Sequence, residues 1–289
     1  MESIAELRNI CQTTAKKDVS NVYMRYVSRF FSIYLTRLIL PLPVTPNQVS
    51  FAMIVTGVFA TFFFLSSSRL MFLAGAFLLQ LWYIIDCMDG EVARYRLYQK
   101  SKTVVTDKRQ SGMSGKYYDV INHYIINLLV PAMIGVGLFE LTGSRSYILL
   151  GIFGSLGQVL TLAMHDGGHR ITIDKLMKYR TVRISGEICA DPEGPMSRSQ
   201  GKRSIAHWIF MIVHYTMTYP TVMNLVAVAA ILEFLLPGGH WRILFLWYLT
   251  LGSAVVTATI ITRIISRNIL DEDFKQNFQV LDPANDKTA

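Results

Sequence analysis

Long apolar stretches constrain this chain more than any other feature of its sequence. Several of them run for about 20 residues, which is the length of α-helix that crosses the hydrocarbon core of a bilayer. Hydrophobic residues make up 52% of the 289 residues and charged residues only 17%, whereas a soluble domain carries about 25% charged residues. The sequence therefore predicts an all-α fold, a polytopic membrane helical bundle.

Six transmembrane helices are predicted from these stretches. The stretch at 205–236 is too long for one straight helix, and Pro220 is expected to kink or divide it, because proline lacks the backbone donor that a helix interior needs. The predicted spans cover 48–66, 70–89, 117–140, 146–165, part of 205–236, and 242–265.

Positive charge determines the predicted orientation. Lysine and arginine number six before the first span, seven between the second and third, eight between the fourth and fifth, and four from Arg263 onward, but the other three connections hold one each. Because cytosolic loops are enriched in these residues, we expect both termini in the cytosol. The net charge of +8 then reflects topology and contact with anionic membrane lipids, and nothing resembles a nucleic-acid-binding module.

The chain divides into three predicted segments. Residues 1–20 form a polar N-terminal segment, which is expected to be loosely ordered and does not resemble a cleavable signal peptide. The transmembrane domain covers 21–266, and a polar cytosolic tail covers 267–289. No disulfides are predicted, because the three cysteines show no paired spacing.

An interfacial amphipathic helix is predicted ahead of the first span. Residues 21–42 mix apolar side chains with arginines, and Arg25 and Arg29 lie four apart on one helix face, opposite much of the apolar content. This pattern is typical of a helix in the cytosolic membrane interface. Three prolines end it, and Asn47 and Ser50 are expected to cap the helix that follows.

Acidic residues are predicted to meet where the second and third spans reach the cytosol. Asp86 and Asp89 end the second span, and three residues apart on a helix they lie about 60° from each other around its axis. Asp119 and His123 open the third span, four apart on one face. Since these helices run in opposite directions and are joined by one loop, both pairs are expected at the same depth and close together.

These four residues point to function only as a group. Taken singly, an aspartate at a helix end is more often solvated, and a histidine in an apolar stretch is more often a hydrogen-bonded core residue. Three carboxylates in one pocket, however, need compensation by nearby arginines or by a hard cation. Mg²⁺ prefers such oxygen ligands and bridges carboxylates to substrate phosphates, and Mn²⁺ is also suited to the site.

The surrounding residues resemble the signature of the CDP-alcohol phosphotransferase family. That pattern, D-x2-D-G-x2-A-R followed by a spacer and G-x3-D-x3-D, is matched by DCMDGEVAR at 86–94 and, except at its last position, by GKYYDVINH at 115–123. The segment VTPNQVS at 44–50 also resembles the start of the first span in that family. The resemblance covers about residues 20–265 and implies the same six-span fold, with the interfacial helix before it.

Two departures from the family pattern bear on function. His123 occupies the position of the last aspartate, and the polar spacer at 95–114 is longer than is usual in the family. An imidazole can act as a base or a metal ligand near neutral pH, but it removes one negative charge from the site. The longer loop is expected to affect substrate identity more than the fold, since loop length alone costs little free energy.

The resemblance implies a chemical role for each of the four ionisable residues. Asp86, Asp89, Asp119 and His123 would hold Mg²⁺ or Mn²⁺, and His123 and Asp119 would be catalytic, with His123 taking a proton from the acceptor hydroxyl. The implied reaction moves a phospho-alcohol or phosphatidyl group from a CDP-linked donor to that hydroxyl and releases CMP at the cytosolic face. The family also implies a homodimer.

Other residues are expected to bind the substrates. Those expected at the nucleotide are Gly90, Ala93, Arg94, Gly115 and Asn47. The phosphate of the acceptor, or the lipid surface, is assigned to Arg263 and Arg267, although both arginines can also serve topology alone. His165 and His169 flank Asp166 at the end of the fourth span, where a plain helix end or a metal role is open.

The sequence leaves several functions open. The acceptor can be a diacylglycerol, a polyol or polyol phosphate, or a glycan or lipid carrier, in phospholipid or envelope synthesis. A non-catalytic membrane scaffold related to the family is the first alternative, supported by His123 and the long spacer. A small transporter is the second, although transporters place ionisable sites near the midplane between repeated, broken helices, and no repeat is visible here.

Overall fold

Ten α-helices account for most of the chain that the computed structural model describes, which is residues 2–17, 22–102, 104, 113–179, 182–184 and 205–280. A π-helical turn at Met24–Ser28 leads into α2, and a 3₁₀ turn at Phe63–Leu65 follows α3. The helices are α1 (Ile4–Lys17), α2 (Arg29–Ile39), α3 (Pro46–Phe62), α4 (Arg69–Ser101), α5 (Met113–Thr142), α6 (Ser146–Leu176), α7 (Ile205–Thr216), α8 (Thr221–Leu235), α9 (Trp241–Arg267) and α10 (Ile269–Asn277).

The predicted membrane bundle is confirmed. Five helices in the described part of the chain, α3, α4, α5, α6 and α9, are long and apolar enough to cross a membrane. The pair α7 and α8 makes a sixth span if it is counted as one, and it bends by 76° at the break before Thr221. The predicted division at Pro220 therefore holds. Beside the helices, two short antiparallel strands, β1 (Val182–Ile184) and β2 (Phe278–Val280), pair with each other.

The N-terminal segment differs from its prediction, because much of it is an ordered helix. Leu7, Ile10 and Cys11 of α1 are buried with Val92 and Tyr95 of α4. A polar helix of this length is not stable alone, so α1 is stabilised by these tertiary contacts. Residues 281–289, which the predicted flexible tail includes, lie outside the described residues, whereas the start of that tail forms α10 and β2.

The second span is longer than predicted. α4 continues to Ser101 rather than ending at residue 89, because Glu91, Val92 and Tyr95 are buried and give the extension a packed face. α2 packs on the face of α4 that carries Glu91, and Arg29 of α2 is 6% exposed. The face that Arg29 was predicted to share with Arg25, opposite the apolar residues, is therefore buried within the protein at Arg29.

The start of the first span is capped by a residue other than the two predicted. Thr45 is the N-cap of α3, with its hydroxyl accepting from the Gln48 backbone N–H while the Gln48 side chain accepts from the Thr45 backbone N–H. Pro46 occupies the first turn, where its missing N–H costs nothing. Asn47 and Ser50 were predicted as caps, but Asn47 lies within the first turn, and Ser50 donates instead to Asp89, at 2.7 Å.

Glycines let the central helices α5 and α6 approach closely. A Cβ added at Gly135 would lie 2.5 Å from the backbone oxygen of Tyr147, and one added at Gly151 would lie 2.7 Å from that of Pro131. Small residues commonly allow such contacts between membrane helices, where dispersion rather than the hydrophobic effect drives packing. The α5–α6 spacing therefore depends on these two positions.

A buried ion pair joins the helices at the end of the bundle far from Asp86. Arg242 is 1% exposed, and its Nε lies 3.3 Å from Oε1 of Glu233. Its Nη1 donates to the backbone oxygen of Ser66, and its guanidinium stacks 4.5 Å from the ring centroid of Phe72. The contacts link α8, α9 and the α3–α4 connection at one rim.

Candidate metal centre

Helices α4 and α5 bring three of the four predicted ionisable residues together. One ligand atom each from Asp86, Asp119 and His123 lies within 4.8 Å of the others. The juxtaposition has a local cause, since Asp119 and His123 are four apart on α5 and Asp86 faces them from α4. Within the part of the chain that the structure describes, no other group of three potential metal ligands meets this distance.

His123 is held at one nitrogen by its neighbour on the helix. Its Nε2 lies 3.1 Å from Oδ1 of Asp119, and the two side chains are 22% and 43% exposed. Its Nδ1 is buried without a hydrogen-bond partner. The group thus lies at the edge of the helix bundle, with the carboxylate nearer to solvent than the imidazole.

Two aromatic rings pack on the imidazole of His123. Trp82 of α4 is edge-on at 5.6 Å between centroids, and Tyr219, at the break between α7 and α8, lies 5.3 Å away. These two rings also contact each other, at 5.5 Å. Trp82 is fixed in turn by its indole N–H, which donates to Oδ1 of Asn122 at 3.1 Å. We call Trp82 and Tyr219 the aromatic clamp.

Asp89 stands apart from the group of three. Its Oδ2 accepts from the Ser50 hydroxyl of α3 at 2.7 Å, and it is not among the atoms that lie within 4.8 Å of one another. The contact with Ser50 ties the motif on α4 to the start of the first span. Asp89 as a metal ligand remains a prediction.

Glu91, a third carboxylate within the segment 86–94, contributes to the packing of the N-terminal helices. It is fully buried; its Oε1 accepts from Gln12 of α1 and Ser32 of α2, and its Oε2 accepts from Thr36 of α2, at 2.6–2.7 Å. A buried carboxylate with three donors is well compensated. Glu91 therefore joins α1 and α2 to α4, on the side of α4 away from Asp86.

Two of the predicted nucleotide-binding residues, Gly90 and Arg94, lie beside one another. The Arg94 guanidinium lies across Gly90, since a Cβ at Gly90 would fall 3.2 Å from Nη1 of Arg94, and its Nε donates to the backbone oxygen of Cys11. Arg94 thus also anchors α1. Ala93 is partly exposed and Asn47 exposed, and a Cβ at Gly115 would meet none of the described residues within 4 Å.

The remaining predicted residues lie on α9 and α6. Arg263 stacks on Phe210 of α7, at 4.6 Å from the ring centroid, and Arg267 is the last residue of α9. The rings of His165 and His169 are 4.5 Å apart. Tyr124, next to His123, donates to Oδ2 of Asp166 at 3.0 Å.

The donor set fits a divalent cation. Two carboxylates and an imidazole converge here, and these are groups that commonly bind such ions. Without a cation, neighbouring carboxylates at this depth would repel each other. The residues present therefore suit the ion that the sequence predicts.

Comparison with known proteins identifies the fold. No protein-family model matches the chain, and no curated protein does. Among solved structures, it is similar to the phosphatidylinositol phosphate synthase of Mycobacterium tuberculosis, determined with CDP-DAG bound. The match has a TM-score of 0.55 at 12% identity and covers 82% of this chain and 94% of the synthase chain. This likeness establishes a shared membrane fold.

Sequence reasoning missed the aromatic clamp and the role of Glu91. Trp82 precedes Asp86 by four residues, so helical periodicity alone could have placed it on the same face. Tyr219 could not be found that way, because it reaches His123 only through the break between α7 and α8. The sequence showed Glu91 only as part of a motif. Its three hydrogen-bond donors come from α1 and α2, and no local sequence pattern connects those helices to Glu91.

Proposed function

We propose that this protein is a CDP-alcohol phosphotransferase, which moves a phospho-alcohol or phosphatidyl group from a CDP-linked donor to an acceptor hydroxyl and releases CMP. The observation that carries the proposal is the convergence of Asp86, Asp119 and His123. These residues come from the two halves of the family pattern, and they converge in a fold shared with a synthase whose structure contains CDP-DAG.

Asp86, Asp89 and Asp119 would hold Mg²⁺ or Mn²⁺ in this proposal, with His123 either as a further ligand or as the base. The bound cation would neutralise charge on the donor diphosphate and polarise its phosphorus–oxygen bonds. Neighbouring side chains would hold these ligands in place: the Ser50 hydroxyl orients Asp89, and the aromatic clamp orients His123. Positioning and charge stabilisation supply most of the rate in phosphoryl transfer.

The chemical step needs one proton acceptor beside the acceptor hydroxyl. His123 and Asp119 are the two candidates, because both are partly exposed. The hydroxyl proton moves to one of them, the oxygen forms a bond to the phosphorus beyond CMP, and CMP leaves with the electron pair of the broken phosphorus–oxygen bond. Arg94, across Gly90, is placed to meet the nucleotide end of the donor.

The proposal extends to the acceptor and to the whole protein. Arg263 and Arg267 would bind an anionic acceptor group or the lipid surface, and six spans would place both termini and the site on the cytosolic side. A homodimer is proposed as its assembly. The acceptor is a lipid or a polyol.

A non-catalytic scaffold remains the second candidate. It is favoured by the 3.1 Å contact between His123 and Asp119, which lets the imidazole satisfy one carboxylate without an ion. In that case the family fold would be retained for partner binding, and substitutions at Asp89 would leave every property of the protein other than stability unchanged.

A donor panel separates these functions. The purified protein in detergent is incubated with several CDP-alcohols, including CDP-diacylglycerol, and with candidate acceptors, and CMP and lipid products are followed by mass spectrometry. We expect CMP from one donor class, with loss of release in Asp89→Asn. CDP-alcohol binding without CMP from any donor and acceptor pair would favour the scaffold, whereas the same CMP yield from wild type and Asp89→Asn would remove Asp89 from the site and keep the enzyme.

A further inference from the structure

We infer that His123 is itself a ligand of the divalent ion, and that it shifts the preference of this site from Mg²⁺ toward a first-row transition ion such as Mn²⁺. The inference rests on the proposed function only for the presence of a divalent ion near Asp86 and Asp119. It concerns which residue binds the ion and which ion is bound.

The first argument is the composition of the donor set. Asp86 and Asp119 offer oxygen, and His123, at the position of the last aspartate of the family pattern, offers nitrogen. Mg²⁺ is a hard ion that keeps water in preference to imidazole, whereas Mn²⁺ and the ions after it in the first row bind imidazole more readily. A site with one imidazole and one charge fewer therefore weakens for Mg²⁺ more than for Mn²⁺.

The second argument is the distance between two of the donors. Nε2 of His123 and Oδ1 of Asp119 are 3.1 Å apart. Ligands at right angles on an octahedral ion with bonds of about 2.1–2.2 Å lie about 3.0–3.1 Å apart. The pair thus has a spacing that fits a shared ion as well as a direct ion pair, and Asp86 is within reach of both, so the nitrogen measurement below decides between the two.

The third argument is the fixed orientation of the ring. The aromatic clamp contacts the imidazole from α4 and from the α7–α8 break, which restricts rotation of the side chain. Preorganised ligands bind metal more tightly because less side-chain entropy is lost. If His123 binds the ion, Asp119 is left as the acceptor of the hydroxyl proton.

A second pair of imidazoles provides the internal comparison. His165 and His169 lie on α6 with their rings 4.5 Å apart, and the side chain of His165 is 49% exposed. A nitrogen signal from a bound metal can come from either place, so the experiment includes a variant at each.

The experiment measures the metal rather than activity. Metal-free protein in detergent is titrated with Mn²⁺, free Mn²⁺ is read by electron paramagnetic resonance, and Mg²⁺ is added as competitor. Electron spin echo modulation then reports nitrogen coordinated to bound Mn²⁺. We expect nitrogen coupling in wild type and in His165→Ala, and none in His123→Asp. The affinity ratio of Mn²⁺ over Mg²⁺ should fall about tenfold in His123→Asp.

Several results would overturn the inference. These are Mn²⁺ bound without nitrogen coupling, coupling that survives His123→Asp but not His165→Ala, an unchanged affinity ratio, or no binding by wild type with intact secondary structure. Parallel CMP release separates the two claims. Nitrogen coupling without CMP release refutes the proposed function alone, and CMP release without coupling refutes this inference alone.

Discussion

At the scale of single residues, the imidazole of His123 depends on Tyr219, which contacts it through its ring. We expect Tyr219→Ala to lower kcat for CMP release about tenfold, since a small displacement of a catalytic group costs rate more than binding, with KM for the donor nearly unchanged. Tyr219→Phe keeps the ring and should retain wild-type kcat. Equal losses in both variants would mean that the hydroxyl, not the ring contact, matters.

Glu91 is expected to support stability rather than chemistry. Removing the buried carboxylate takes away one hydrogen bond each from Gln12, Ser32 and Thr36, so Glu91→Ala should lower the free energy of unfolding by about 3 kcal/mol. Thermal unfolding in detergent checks this, with Glu140→Ala, an exposed glutamate of α5, as control. An unchanged melting temperature in Glu91→Ala would contradict the role assigned to it.

The sequence predicts the residues of the site as far as local geometry determines them. Asp86, Asp119 and His123 could be grouped because two antiparallel helices joined by one loop set their depth. The same helical periodicity placed Asp89 in this group. In the structure, Asp89 instead contacts Ser50 of α3, and the spacing of residues on α4 cannot predict a contact with another helix. The fully buried state of Glu91 likewise depends on helices distant in sequence.

At the scale of elements, the contact of α5 with α6 depends on the absence of a side chain at Gly151. Gly151→Ala would bring a Cβ to 2.7 Å from the backbone oxygen of Pro131, which the rigid helix cannot relieve, so the melting temperature should fall. Gly167→Ala, on the same helix, meets none of the described residues within 4 Å and should be neutral or stabilising, because alanine favours helix. Equal melting temperatures for both would contradict the packing described.

The docking of α1 is testable through Cys11. Burial and the nearby Glu91 charge raise the pKa of the Cys11 thiol to about 12, so at pH 8 only about one thiol in ten thousand is the reactive thiolate. In a Cys87→Ser, Cys189→Ser background, we expect iodoacetamide to label Cys11 slowly from pH 7 to 9 and quickly after unfolding. Rapid labelling of the folded protein would mean that α1 is not docked.

Spanning helices could be predicted and α1 could not, for a physical reason. A stretch of about 20 apolar residues is stable as a helix that spans the bilayer, so the sequence of the stretch alone is enough to predict the helix. α1 is polar, and its few buried side chains acquire a partner only because α4 continues past the membrane-spanning part. The extension of α4 was itself missed, since it depends on α1 and α2.

At the scale of the whole molecule, the start of α4 and the region around Asp86 have different roles. Asp86 lies 17 residues from Arg69, or about 25 Å along the helix, which is most of the hydrocarbon thickness of about 30 Å. The rim near Arg69 holds the structural pair of Arg242 and Glu233, and the other rim holds the ionisable group. With the basic loops, this favours a site at the cytosolic edge.

The account as a whole depends on one property, metal-dependent release of CMP at the group of Asp86, Asp119 and His123. The most direct test is CMP release from CDP-diacylglycerol and other CDP-alcohols by metal-free protein before and after addition of Mn²⁺ or Mg²⁺. Asp119→Asn is measured beside Asp271→Asn, which makes the same change at an exposed carboxylate paired with Lys175. The account predicts release that requires metal, is lost in Asp119→Asn and is kept in Asp271→Asn. Release that persists without metal or in Asp119→Asn would contradict it.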